Sequence, residues 1–233
     1  MKIKTMISKL HFINKIREIF NKRKLKNRNK ILKTNGYSAI ELIDKVGKDC
    51  KLQTWIEWGT LLGLVREKAI IGHDYDIDFA VKIDSKQDYE LLYKSLLNEG
   101  FELIRQFKYG DKIVSESYIH NGIISDIDYI DETNDYSILY EYDLEPETKI
   151  EKRQGIHYYT NMGVYVYKLP KISLIRDSFK NGVSCFIPER TEEHLSALYG
   201  SDWKIPNPNF DWKVLNNYEC LGAIEDFTGW RKD

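Results

Sequence analysis

Three cysteines are all that 233 residues contain, and they stand far apart at Cys50, Cys185 and Cys220. An odd, scattered set supplies neither a CxxC nor a zinc spacing, so these side chains read as small buried groups or free thiols, in keeping with a reducing cytosol. Also missing is any apolar run near the roughly 20 residues that a membrane-spanning helix needs. The N-terminus has no continuous apolar stretch with a cleavage pattern of the secretory kind. No internal repeat, low-complexity linker or second-domain boundary stands out, and no groove-reading or aromatic-interleaved basic module points to nucleic acid. Net charge is almost absent as well, at −1 from 35 Lys/Arg and 36 Asp/Glu. A chain of this length is expected to bury one full core.

That neutrality hides a division. Residues 1–33 hold twelve Lys/Arg against the single acid Glu18, so the remaining 23 basic and 35 acidic residues leave a balance of −12 on the rest. Ile3, Ile7, Leu10, Ile13, Ile16 and Phe20 follow helical apolar spacing within the basic stretch. The spacing predicts a basic amphipathic helical arm over residues 1–35, followed by an acidic body over 36–233. Such an arm suits peripheral contact with an anionic membrane surface through residues 1–33, at the inner face of the cell membrane. Packing against the acidic body of the same or a second protomer is the competing reading.

Within the body, Asp74-Tyr75-Asp76-Ile77-Asp78-Phe79-Ala80-Val81 alternates as a strand does. Tyr75, Ile77, Phe79, Val81 and Ile83 form an apolar face; Asp74, Asp76 and Asp78 line the other. At about 3.3 Å per residue, Asp76 and Asp78 lie roughly 6.6 Å apart along the strand, close enough to share a site and to repel each other. Oxygen ligands of this kind suit a hard divalent cation, Mg²⁺ or Mn²⁺. A merely solvated acidic face is the alternative. Just upstream, Gly59-Thr60 opens a short apolar helix, where unpaired N–H groups and partial positive charge favour phosphate. Gly59 and Thr60 could equally do no more than start and cap that helix.

Elsewhere the pattern predicts a helix over 37–50, strands over 52–57 and 75–83, and a helix begun by Asp84-Ser85 and ended by Gly100. Strands are expected over 101–107, 112–120 and 123–131, the last two joined by an Asn121-Gly122 hairpin. Weaker strands fall at 156–160 and 164–169. Thr191 reads as the N-cap of a short helix that Gly200 ends in a left-handed conformation. Trp55 and Trp58 are expected in the core. His73, beside the acidic strand, is more ordinarily structural than substrate-binding. The fold class is α/β (α+β), a mixed sheet flanked by helices.

The run Gly59-Thr60-Leu61-Leu62-Gly63-Leu64-Val65-Arg66, then Ile70-Ile71-Gly72-His73-Asp74-Tyr75-Asp76-Ile77-Asp78, resembles the LicD/fukutin family, a branch of the nucleotidyltransferase fold. Tyr75 between the carboxylates is nearer the fukutin-related branch than the choline branch. Gly72-His73 departs from the family's usual Pro-Trp, which puts the shape of that loop in doubt. Ile123 to Glu132 is similar to the family strand bearing a third acid, with Asp126 at that place and Asp128 where an aromatic is usual. Thr191 to Trp203 is similar to its closing E-x-[YH]-L-x-x-x-Y-G-x-D-W signature. The resemblance covers roughly residues 50–210.

The resemblance implies a nucleotidyltransferase-like sheet and metal-dependent transfer of a phospho-alcohol (phosphocholine, ribitol- or glycerol-phosphate type). The donor would be CDP-linked and the acceptor a hydroxyl of a surface glycan or lipid-linked saccharide. Asp76, Asp78 and Asp126 would be the catalytic and metal-binding residues. Gly59, Thr60, Arg66, Asp74 and Asp128 would contact substrate, although Arg66 could instead form a surface salt bridge. A nucleotidyltransferase adding a nucleoside monophosphate, or a non-catalytic nucleotide-binding subunit, remains the alternative.

Overall fold

The computed structural model describes residues 2–207, 210–215 and 217–233, with side chains described from Leu25 onward. The expected strand alternation is realised in β2 (Asp76–Lys82), where Ile77, Phe79 and Val81 are almost wholly buried. β2 runs antiparallel to β1 (Thr54–Ile56) and parallel to β5 (Ile123–Glu132). A parallel pair needs a crossover. It is supplied by α3 (Lys86–Asn98), β3 (Glu102–Tyr109) and β4 (Lys112–His120). Ser85 caps α3, its Oγ accepting the Asp88 N–H at 3.1 Å. Asn121 and Gly122 turn β4 into β5 with φ of 50° and 79°, the pair of positive values a tight hairpin requires.

Five further strands follow: β6 (Ser137–Asp143), β7 (Lys149–Arg153), β8 (Ile156–Leu169), β9 (Leu174–Ser178) and β10 (Ser184–Pro188). After α4 (Thr191–Tyr199) comes β11 (Glu219–Lys232). The pairings β5–β4–β3–β11–β8–β6 return to β5 through Asp131↔Ile138 and Glu132↔Ser137, closing a six-stranded ring. Phe107 on β3 and Tyr142 on β6 are not neighbours in that order, yet their ring centroids lie 4.1 Å apart, so side chains meet across the ring. Gly229 on β11 makes room for this: a Cβ there would fall 2.1 Å from Phe107 Cδ1. β8 is one strand where the sequence suggests two weak ones, and β6, β7, β9, β10 and β11 lie outside the sequence-predicted set.

On one face of β2, Ile77, Phe79 and Val81 pack with Ile40 and Ile43 of α1 (Lys2–Asp49), with Leu61 and Leu64 of α2 (Trp58–Glu67) and with Leu92 and Leu96 of α3. On the other face Ala80 joins Trp55, Ile130, Tyr167 and Leu198 of α4. β2 is therefore covered on both sides, as parallel-paired strands usually are. The helix expected at 37–50 is the C-terminal part of α1, which crosses residue 35 without a break. Leu32 of α1 is buried in the core of the body. The apolar stripe from Ile3 to Phe20 lies outside the described side chains. Among the described residues, no helix is long and apolar enough to cross a membrane.

Two helix ends differ from expectation. Arg190, not Thr191, is the N-cap of α4, and Thr191 Oγ1 instead donates to the Pro188 carbonyl. Gly200 has the expected positive φ of 81°, but its ψ of 175° is extended rather than left-handed helical.

Candidate active site

Parallel pairing places Asp78 beside Asp126, and Ala80 beside Asp128. Residues paired in this way share a sheet face, with strands about 4.8 Å apart. One face of two adjacent strands thus carries Asp76, Asp78, Asp126 and Asp128. Burial, with Asp126 and Asp74 nearby, pushes the Asp76 carboxyl up to about 7. Asp78 is held well above the usual carboxylate range by burial and by Asp76 and Asp126. Asp128 is raised to about 7, chiefly by burial. Glu141 of β6 is raised to about 8 by burial and by Asp128. So many buried acids in one place, raised in spite of Arg105 beside them, suit a site that receives positive charge.

α2 meets this face at its first turn. Glu57, in extended conformation, is its N-cap, and the Glu57 N–H donates to the Asp78 carbonyl at 3.0 Å. Thr60 embraces Asp78. Its amide N–H donates to Oδ2 at 3.2 Å and its hydroxyl to the same oxygen at 3.4 Å, while the Asp78 N–H donates to Oγ1 at 2.9 Å. In the structure Thr60 fixes a carboxylate, and α2 starts at Trp58, ahead of the Gly-Thr pair. A Cβ on Gly59 would stand 3.2 Å from Asp74 Oδ2, tight enough to displace it, and 3.4 Å from Asp78 Oδ2, an ordinary contact.

Trp58 is a correction to the sequence reading. It is half-buried rather than core, and its backbone has φ of 44°, a left-handed value uncommon for a bulky residue. Its indole Nε1 donates to Asp128 Oδ2 at 2.8 Å. Strain of this kind persists where surroundings over-determine it, often beside functional groups. Trp55 is buried as expected.

Arg105, which the sequence reading missed, donates from Nη2 to Asp126 Oδ2 at 2.6 Å. The other oxygen, Asp126 Oδ1, is buried with no hydrogen-bond partner. Among the described residues, no three His, Cys, Asp or Glu side chains stand gathered tightly enough to hold a metal ion as they are. The oxygens nonetheless fit one in chemistry: neighbouring acids and burial raise Asp76 and Asp78 even though Arg105 and Arg28 act on Asp76 in the opposite sense, and buried Asp126 Oδ1 has no hydrogen-bond partner among the described residues.

The loop carrying Asp74 is pinned by α1, since Asn29 Nδ2 donates to the Asp74 carbonyl at 2.6 Å and to that of Gly72 at 3.0 Å. Arg66 pairs with Glu67 at 2.8 Å, yet it also lines a cavity with Gly59, His73 and Asp74. Beneath α2, Glu57 Oε1 lies 2.5 Å from His194 Nε2 of α4, and Glu57 Oε2 accepts from Trp55 Nε1 at 2.7 Å. Glu57 and His194 are both fully buried. No local pattern flags Arg105, Glu57 or Trp58, because each finds its partner only through strand register or helix docking.

The family model described as LicD/FKTN/FKRP, nucleotidyltransferase domain, matches residues 51–167, just over half of the chain. The chain belongs to the LicD/fukutin family. That match runs from the approach to β1 into β8 and includes every acid of the site. The chain is 26% identical over 185 residues to the mouse ribitol-5-phosphate transferase FKTN, covering 78% of this chain and 36% of the mouse protein. The Macaca fascicularis and human proteins of the same name are 27% and 26% identical over 177 residues, 75% of this chain and 33% of each relative. The chain thus spans about a third of the length of the curated relatives it matches.

Proposed function

We infer that this LicD-type domain is a phosphotransferase: it moves a phospho-alcohol from a CDP-linked donor to a hydroxyl of a glycan or lipid-linked saccharide, releasing CMP. The observation that carries the reading is the pairing of Asp78 with Asp126 directly against the first turn of α2. Naming of the relatives as ribitol-5-phosphate transferases favours ribitol phosphate among the candidate alcohols.

Asp76, Asp78 and Asp126 Oδ1 are the oxygens that would hold Mg²⁺ or Mn²⁺, a cation that offsets diphosphate charge and stabilises the departing phosphate. Thr60 fixes the rotamer of Asp78, and Gly59 keeps the approach to Asp74 and Asp78 free of side chain. Arg105 anchors Asp126 through Oδ2 and leaves Oδ1 without a hydrogen-bond partner among the described residues. Asp128, oriented by the Trp58 indole and poised near neutrality, is the group suited to take the proton from the attacking hydroxyl.

The test is incubation of the protein with Mg²⁺, a saccharide acceptor and CDP-choline, CDP-ribitol or CDP-glycerol, followed by product mass. An acceptor heavier by a phospho-alcohol, with free CMP, is expected. A gain of a nucleoside monophosphate would replace this reading with nucleotidyl transfer, and no product from any donor would refute it.

A further inference from the structure

A cavity of about 660 Å³ opens beside the carboxylates, between the first turns of α2, the loop before β2 and the segment after α4. Gly59 and Asp74 form the wall it shares with the acidic site. Its other walls are largely apolar, among them Leu62, Ile71, Tyr199, Trp203 and Phe210. Phe210 and Ile205 line it and are left 41% and 69% exposed. Phe210 and Tyr199 sit with ring centroids 5.2 Å apart. Its polar and charged lining residues are Arg66, His73, Asp74, Asp202 and Asn207.

We propose that this cavity seats the nucleoside of the donor, with the base against Phe210 and the phosphates passing Gly59 toward Asp76 and Asp78. The proposal rests on the function inferred above. Its volume falls within the roughly 300–1,000 Å³ typical of small-molecule pockets. A donor that crosses the acidic site has two ends, a flat base with two apolar faces and a polyhydric or charged alcohol. Aromatic walls suit the base, because stacking is available to any base and needs no hydrogen bond from the wall. An alcohol such as ribitol carries hydroxyls at each carbon and would leave them unpaired here.

Isothermal titration of the full chain with CMP, in EDTA so that carboxylate-bound cation plays no part, tests the assignment. Phe210→Ala is expected to weaken CMP binding by about tenfold or more, the size of one lost base–aromatic stack. Val214→Ala, at a residue 71% exposed and outside the cavity lining, is expected to leave it unchanged. Ribitol 5-phosphate should bind Phe210→Ala and wild type alike. Equal CMP affinity in Phe210→Ala and wild type, or no CMP binding to wild type at millimolar ligand, would overturn the assignment. Failure of transfer chemistry with Phe210-dependent CMP binding intact would instead remove the phosphotransferase reading and keep the nucleoside seat.

Discussion

At the scale of single residues, Gly59 and Thr60 act on the acids more than on each other. Thr60 holds Asp78 with two donors and one acceptor, and Gly59 leaves the gap that lets Asp74 and Asp78 approach α2. Gly59→Ala should therefore fold, since α2 favours alanine over glycine. Its methyl would press on the Asp74 carboxylate by a few tenths of an ångström and touch that of Asp78 at ordinary contact distance. A 1 Å misplacement at a reacting centre costs about 10²-fold, so a loss of about tenfold in kcat/KM with an unchanged melting temperature is expected. Wild-type activity in Gly59→Ala would show that these oxygens have room to spare. The pair of acids on β2 was legible in the sequence because period-two alternation exposes them directly. Arg105 was not, since it lies 21 positions from Asp126 and reaches it only across the β3–β4–β5 register.

Among the elements, α2 and α4 are tied by one buried contact. Glu57 ends β1, caps α2, donates its N–H to Asp78 and meets His194 of α4, all without access to water. Removing one partner of a buried hydrogen bond leaves the other stranded, at a cost of about 1–3 kcal/mol. His194→Ala is expected to lower unfolding free energy by that amount in urea denaturation; a change under about 1 kcal/mol would mean that the cleft there relaxes or hydrates. The T-E-E-H-L segment was readable as a helix from its acids and its terminal glycine, but its partner Glu57 was hidden at the end of a short strand. β11 escaped the sequence reading for a different reason: Gly222 and Gly229 interrupt it and much of it is exposed, so its alternation is weak, although Gly229 is what admits Phe107. α1 likewise belongs to the body further upstream than its charge suggests, for Asn29 and Leu32 already hold the Asp74 loop and the core.

Across the whole molecule, raised carboxyls set the pH response. Asp76 and Asp128 are pushed to about 7, Glu141 to about 8, and Asp78 upward as well, so each binds its proton more tightly folded than unfolded. From the ordinary carboxylate range up to those values the folded chain carries more protons, and unfolding free energy must fall as pH rises through that window. The lowered carboxyls Glu132, Glu151, Asp177 and Asp233 are ionised in both states once pH is above the ordinary carboxylate range, so they contribute no opposing slope between about pH 5.5 and 8. The metal-free protein should melt at higher temperature near pH 5.5 than near pH 8, and Mg²⁺ added near pH 8 should recover the difference. A metal-free melting temperature that rises with pH would contradict this ordering.

Underlying all of this is the proposal that acidic oxygens of two parallel strands hold a cation. Mn²⁺ titration followed by electron paramagnetic resonance reads that directly, without substrate or turnover. Wild type is expected to bind one Mn²⁺ near pH 8, displaced by Mg²⁺, and Asp76→Asn and Asp78→Asn each to weaken it by tenfold or more while keeping their circular dichroism. Mn²⁺ binding equal in wild type and both variants would place the cation elsewhere and remove the basis of the proposed site.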